Sequence, residues 1–314
     1  MPYTSSGNFR VGTLADATYR VARDLSAVSE GVATTGSATT VADTVNLDQA
    51  ADYWNGGGVW ILRDAAEAGA APEGEMGQVT DFASSGVLTV AAVAGSSNPF
   101  SVGVATGDRY AVTTSKYKPQ QIISAVNAAL LDMGTIPLTD KTSLDTAANQ
   151  TELSIPLAAS MDLREVWIQT RTTDSDDNRW FKVDNWYIEK TATGTSDLLI
   201  VPFQYESVRD VKLVYMGEHP ELDDPSDQIA ESVNLILIVA EAAVRLLEER
   251  DAGPGNDPAT QRQLDRWLQP GADGASKLDR VRNKYPIMKP QKPSNYLVFG
   301  RRPARDRFTY PGPA

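Results

Sequence analysis

The 314-residue chain contains no cysteine and a single histidine. Without cysteine there is no disulfide framework and no thiolate metal site, and the absence fits a reducing compartment. One histidine cannot build the two- or three-histidine metal centres of most hydrolases. Long apolar runs are missing as well. The longest, "VNLILIVA" at 233–240, falls far short of the ~20 residues a membrane-spanning helix needs. The opening "MPYTSSGNFRVG" has no charged region followed by an apolar core, so no secretory leader is expected. These shortages imply a soluble protein made in the cytoplasm, with no membrane partner and no cofactor.

What is present is enough apolar residue, 41%, to bury a substantial core, and enough length for two or three domains. Charge is spread unevenly. Ten of the 29 Lys/Arg and two of the 41 Asp/Glu lie from Lys277 onward, a net of +8. The first 276 residues hold the other 19 bases and 39 acids, a net of −20. An acidic body repels nucleic acid at long range, whereas a basic tail seeks an acidic surface. The end of the tail, "KPQKPSNYLVFGRRPARDRFTYPGPA" at 289–314, is broken by five prolines that oppose helix and strand. A purely solvating tail would gain nothing from its Tyr296, Phe299, Phe308 and Tyr310. Aromatics mixed with arginine are instead enriched at interface cores. The tail therefore reads as a docking arm.

Along the chain, Thr13 and Asp16 resemble a capping box, and Leu14, Val21, Leu25 and Val28 follow at helical spacing, predicting a helix over 14–29. Short Val-, Thr- and aromatic-rich runs separated by Gly and Ser then predict a small all-β sandwich or barrel over about 36–114. Pro119 at a first turn, Ile122, Val126, Leu130 and Met133 on one face, and Gly134 beyond predict a helix over 119–133. A second β-rich stretch runs over 151–218, with "TATGTS" as a hairpin turn. Asp224 as N-cap, Pro225 at the first position and Asp227 in the first turn predict a long helix over 225–250. Asp257–Pro258 opens another over 258–269, and "SKLDRVRNKY" makes one more short helix. The expected fold class is α+β, a helical bundle interrupted by two β-rich modules, the first a small β-barrel, with an extended C-terminal arm. The expected segments are 1–35, 36–114, 115–150, 151–218, 219–284 and the arm 285–314.

No stretch carries a specific catalytic signature. "WNGGGVW" at 54–60 invites a phosphate-loop reading, but no G-K-[ST] follows and the next element is a strand, so glycines in a turn or bulge are expected. "DSDDN" at 174–178 begins like a calcium loop, yet Arg179 stands where glycine should and Asn185 where a bidentate Glu belongs. His219 lies near Glu218, Asp223 and Asp224 in a Pro-punctuated connector with no nucleophile motif nearby, which argues against a general base. Carboxylate pairs carry no information in a chain with 41 acids. In "RWFKVDNWYIEK" at 179–190, strict alternation puts Trp180, Lys182, Asp184, Trp186 and Ile188 on one side. That mixture fits neither a sheet core nor a stacking surface for sugars or bases.

Two stretches carry a family resemblance. In 117–156, "YKPQQIISAVNAALLDMGTIPLTDKTSLDTAANQTELSIP" holds a helix of the type "II-x-A-V-N-x-A-L", a "G-x-I-P" exit and a "T-S-L" loop leading to a strand. In 208–249, "VRDVKLVYMGEHPELDDPSDQIAESVNLILIVAEAAVRLLEE" runs from a strand through an "HP-x-L" connector to an alanine-rich helix. Both resemble neck proteins of tailed bacteriophages, and the first β-rich stretch is similar to a small barrel that recurs in phage neck and tail proteins. The resemblance implies a non-enzymatic head–tail connector (adaptor), located in the virion. It would form a ring of about a dozen copies beneath the portal protein, contact other neck or tail proteins, and let genomic DNA pass without sequence-specific contact. The arm would then dock on the portal through Lys289, Lys292, Arg301, Arg302, Arg305 and Arg307 for charge, and Tyr296, Phe299, Phe308 and Tyr310 for apolar clefts. Two sizeable β insertions depart from the smallest adaptors and leave a second reading, a receptor- or glycan-binding tail or fibre-attachment component.

Overall fold

A computed structural model describes residues 12–93, 98–141, 144–146, 150–169, 180–191, 196–202, 208–251, 257–287 and 290. Strand outweighs helix, 32% against 27%, in three antiparallel sheets of seven, five and three strands. The expectation of a helical bundle with β insertions is therefore wrong, because sheets and not helices form most of the ordered framework. The chain divides into two units, one of residues 12–136 with 218–287, the other of residues 137–217.

The first unit opens with helix α1 (Leu14–Asp24), capped by Thr13, whose hydroxyl accepts the Asp16 N–H at 3.2 Å. It ends five residues short of the 14–29 predicted, because Ser26 adopts a left-handed φ of 53° that no helix continues through. Val28, apparently the next helical apolar position, instead starts β1 (Val28–Val32). Six more strands follow: β2 (Thr35–Ser37), β3 (Thr40–Ala42), β4 (Gly58–Arg63), β5 (Met76–Ala83), β6 (Val87–Ala92) and β7 (Arg109–Thr113). Their order is β1-β7-β4-β5-β6-β3-β2, with β1 and β2 at its two ends. No strand pairing among the described residues closes the sheet, so the predicted barrel is an open sheet. Spacing of short strands reveals strands, whereas closure is decided by pairing between the outermost two.

Helix α2 (Pro119–Asp132) follows, close to the range predicted from its proline start and apolar face. The second unit then runs through β8 (Ile136–Asp140), β9 (Asp145–Thr146), β10 (Glu152–Pro156), the short α3 (Leu157–Met161), β11 (Leu163–Gln169), β12 (Trp180–Val183), β13 (Tyr187–Glu189), β14 (Ser196–Ile200) and β15 (Arg209–Gly217). One sheet has the order β12-β11-β15-β8, with β9 also on β15, and the other β10-β14-β13. Leu153, Ile155, Val166, Ile168, Leu199 and Leu213 are among the buried residues of their common core.

Helices α4 (Leu235–Asp251), α5 (Pro258–Leu268) and α6 (Lys277–Lys284) return to the first unit. α4 packs against α1, α2, α5 and α6. It begins ten residues after the predicted start, despite the good capping signals at Asp224 and Pro225. The reason is tertiary: the Asp227 and Pro225 carbonyls accept the first two N–H groups of α1, from Leu14 at 2.9 Å and Ala15 at 3.0 Å, and Ile229 N–H donates to Gly12. These bonds hold 224–229 as a connector and cap α1 at the same time. No helix among the described residues is long and apolar enough to cross a membrane.

Within the seven-stranded sheet, Asp43 is wholly buried. Its carboxylate accepts the N–H groups of Val45 and Asn46 at 3.0 Å, the Asn46 amide at 2.8 Å and the Tyr110 hydroxyl at 2.9 Å. Burial alone would raise its pKa, but these donors outweigh burial and hold the carboxyl below the ordinary range. Burial, then the carboxylate beside it, push the Tyr110 phenol strongly upward, so it remains a donor. Gly31 leaves room for the pair, since a Cβ there would stand 2.7 Å from the Asp43 carboxylate. A depressed folded-state pKa contributes stability that is complete above the unfolded value of about 4 and is lost as pH falls through the folded value. Asp43→Ala should therefore cost about 3 kcal/mol at neutral pH. In urea unfolding the cost should narrow at about pH 3, and an unchanged cost would show that the charge contributes nothing.

Candidate functional site

The ten docking residues predicted from the sequence, Lys289, Lys292, Tyr296, Phe299, Arg301, Arg302, Arg305, Arg307, Phe308 and Tyr310, lie outside the described residues, as does "DSDDN" at 174–178. The root of the arm is described. α6 is opened by Ser276, which exchanges hydrogen bonds with Asp279, and Arg282 donates to Glu241 of α4 through two nitrogens, at 2.5 and 2.8 Å. The Lys277 ammonium lies 3.3 Å from the Trp267 ring centre of α5. Each of these contacts precedes Tyr285, so the arm leaves a fixed base.

Three constellations look chemical and resolve as structural. In the glycine run, Gly56 N–H donates to Val79 O, Gly57 N–H to Trp54 O, and Gly58 N–H to the Thr113 hydroxyl at 2.9 Å. No amide is left to cradle phosphate, as the turn reading expected. Gly57 is required by close approach, because a Cβ there would overlap the Thr113 carbonyl. His219 is buried, with Nδ1 donating to Pro220 O at 2.7 Å and Nε2 accepting the Ala230 N–H at 3.0 Å. Nε2 is turned to the backbone of its own connector, so no substrate can sit between it and the Ala230 N–H. Ser160, Lys190 and Asp197 meet in the second unit: Ser160 Oγ and Lys190 Nζ each lie 2.6 Å from Asp197 Oδ2. Hydrogen bonds from Lys190 and then Ser160 hold Asp197 below the usual carboxylate range. Ser160 is buried, so the trio fastens α3 to β14 and presents no nucleophile. Among the described residues no group of three or more His, Cys, Asp or Glu is placed to hold a metal ion.

The constellation that remains is the outward face of the five-stranded sheet. Val166 and Ile168 of β11 point into the core, which leaves Glu165 and Trp167 on the other side. Register places Trp167 directly between Lys182 of β12 and Lys212 of β15. The Lys212 ammonium lies 4.6 Å from the Trp167 ring centre and 5.3 Å from that of Trp180, and Lys182 lies 5.9 Å from Trp167. Glu165 accepts from Trp167 Nε1 at 3.0 Å and Lys182 Nζ at 2.6 Å. Burial opposes the ionised form of Glu165, but the hydrogen bonds from Lys182 and Trp167 and the charges of Lys182 and Lys212 prevail and hold it low.

This face corrects the alternation read from 179–190. Trp180 and Lys182 do share the outward side, but Asn185 turns the chain with a left-handed φ of 62°. Beyond it β13 belongs to the other sheet, and Trp186 and Ile188 pack on the core. The partners Trp167 and Lys212 were missed because they come from strands about 45 residues apart, whose alternation marks them only as outward. Chemically the face offers two indoles and two ammonium groups, suited to contact rather than to bond making.

Compared with known proteins, the chain matches no family model and no curated protein.

Gly57→Ala should lower the melting temperature by several degrees, since a backbone clash of this kind costs about 1–3 kcal/mol, while adding a nucleoside triphosphate to the unaltered protein should not raise it. A clear rise would reinstate the phosphate-loop reading of 54–60.

Proposed function

We propose that this chain is a virion structural protein of a tailed bacteriophage, a head-to-tail adaptor that forms a ring below the portal and lets DNA pass. One observation carries the reading. The two stretches that resemble neck proteins are joined through their own motif residues, 95 positions apart in the chain. Asn127, from "II-x-A-V-N-x-A-L", donates its amide to Leu222 O at 2.9 Å and accepts Leu222 N–H at 3.0 Å, and Leu222 is the leucine of "HP-x-L". Behind this clamp α2 packs against α4. The paired motifs thus work as one structural element, which is what a resemblance reaching across a β-rich insertion requires.

In this reading the subunits meet head to tail, a heterologous contact that closes when the rotation per subunit divides a full turn. The acidic body repels the genome's phosphates and so lets it slide. The basic arm runs from the fixed base of α6 onto the portal, and its prolines lower the entropy lost when an extended segment is ordered. A second reading, a sugar-binding attachment component, draws on the outward Trp167 and Trp180. A sugar stacking there would have to displace Lys212 from both rings.

Quantitative mass spectrometry of particles from the phage that carries this gene should find about a dozen copies beside the major capsid protein. Hundreds of copies, or absence from the particle, would exclude the ring. Removing residues 285–314 should leave the melting temperature of the body close to that of the full chain, because the contacts that fix α6 come before Tyr285. Co-purification with the portal protein of the same genome should be lost, and undiminished co-purification would sink the arm's role. Binding on a glycan array that disappears in Trp167→Ala would favour the second reading instead.

A further inference from the structure

The only histidine of the chain closes a loop that holds two helices. Between Pro220 and Ala230, whose backbones bond the two nitrogens of His219, the connector makes three further attachments. Asn127 of α2 holds both backbone groups of Leu222. The carbonyls of Pro225 and Asp227 accept the first N–H groups of α1. Ile229 N–H reaches Gly12 O at 2.8 Å. An amide N–H can only donate, so the ring nitrogen that faces Ala230 must be bare. The arrangement therefore admits one state of the ring, the neutral imidazole protonated on Nδ1.

We infer that His219 is a proton-operated latch on this connector. A proton taken from solvent adds to the Nε2 lone pair and gives an imidazolium that donates from both nitrogens. Nε2–H then confronts Ala230 N–H, two donors with no acceptor between them, and that end of the loop is driven apart. The carbonyls that cap α1 loosen with it, because they belong to the same stretch between Pro220 and Ala230.

The surroundings favour the open form once the proton is on. The connector itself carries Glu218, Glu221, Asp223 and Asp224, all exposed and able to pair with an expelled imidazolium, and Asp227, whose carboxylate already accepts the Asp223 and Asp224 N–H groups. α1 brings Asp16, which is already bonded to Arg20 at 2.6 Å. α2 has one charged residue, Asp132 at its end, paired with Arg245 of α4, and Glu241 of α4 is paired with Arg282. The charged residues nearest to the ring in sequence, Glu218 and Glu221, are acidic. This latch does not depend on the proposed role in the virion.

A single histidine makes the test direct, because the 15N-labelled full chain gives one pair of ring-nitrogen resonances. At about pH 8 the pattern should be Nδ1 protonated and Nε2 bare, and the opposite tautomer would overturn the latch. Hydrogen exchange read by mass spectrometry, corrected for intrinsic rates, should show 12–20 and 219–231 losing about tenfold or more of their protection between about pH 8 and about pH 5.5. In His219→Gln, whose side-chain oxygen can accept the Ala230 N–H but takes up no proton, protection should persist. Equal protection at both pH values in the unaltered chain, or the same loss in His219→Gln, would overturn the proposal. If His219→Gln does not fold, the unaltered chain still decides: loss of protection must follow the midpoint of the ring resonances, and a different midpoint refutes the latch.

Discussion

Trp60 is the residue on which the first unit turns. β4 is buried on both faces: Val59 and Ile61 enter the core of the seven-stranded sheet, while Trp60 points the other way, to α1. Its indole is wholly buried, its ring lies 6.4 Å from that of Tyr19, and its Nε1 donates to the Thr18 hydroxyl at 3.1 Å. Losing a packed indole costs about 3–5 kcal/mol, and an unpartnered N–H would add to it. The bond and the ring contact together orient α1 against the sheet. β4 is an interior strand, third in the order, with β7 and β1 on one side of it and β5, β6, β3 and β2 on the other. The hydroxyl of Thr18 also donates, to Ala15 O at 3.0 Å or Met76 Sδ at 3.4 Å, which ties β5 to the same point.

The connector before α4 is the complementary constraint. It is rich in acids and exposed along most of its length, a composition normally read as loop. Yet its backbone groups are used: two carbonyls cap α1, Leu222 is held on both sides by Asn127, and His219 closes the loop. Its order therefore comes from hydrogen bonds rather than from apolar burial. Such segments open at lower free energy than packed strands, which makes the connector responsive to a single proton where a core would not be.

The elements that sequence reveals best are those whose start, face and stop agree locally. α2 has Pro119, the apolar positions Ile122, Val126 and Leu130, and Gly134 beyond its end, and no tertiary bond competes with that pattern. α5 is equally plain, with Asp257 as its cap and Pro258 after it. The errors fall where a local signal is overridden from afar. Val28 continues the helical spacing of α1, but it gains a strand partner in Thr113. Asp224 and Pro225 are good helix starters, but the open end of α1 claims the carbonyls of Pro225 and Asp227. Two-residue alternation over 179–190 assumes a straight strand, and one left-handed Asn185 sends its halves to different sheets. The framework was misjudged for a related reason: helical periods are visible residue by residue, whereas the seven-stranded order joins residues from Val28 to Thr113 that no local pattern connects. The aromatic face follows the same rule, for its composition is written in β12 but its partners stand on β11 and β15.

The aromatic face also shows how an outward pair of indoles is covered. Two indoles on the outward side of a sheet would form an apolar patch of the kind that drives association. Here the Lys212 ammonium bridges both rings and the Lys182 ammonium flanks Trp167, so the outward faces of the indoles are covered by charge. Each such contact is worth about 0.5–2 kcal/mol, enough to hold the cover in place but little enough for a partner to displace. Glu165 sharpens the arrangement, because by binding both Lys182 and Trp167 Nε1 it fixes the ring that Lys212 rests on. The side chains therefore hold one another: moving Lys182 removes a donor from Glu165 and a cation from the Trp167 face, whereas moving Lys212 removes the cation shared by both rings.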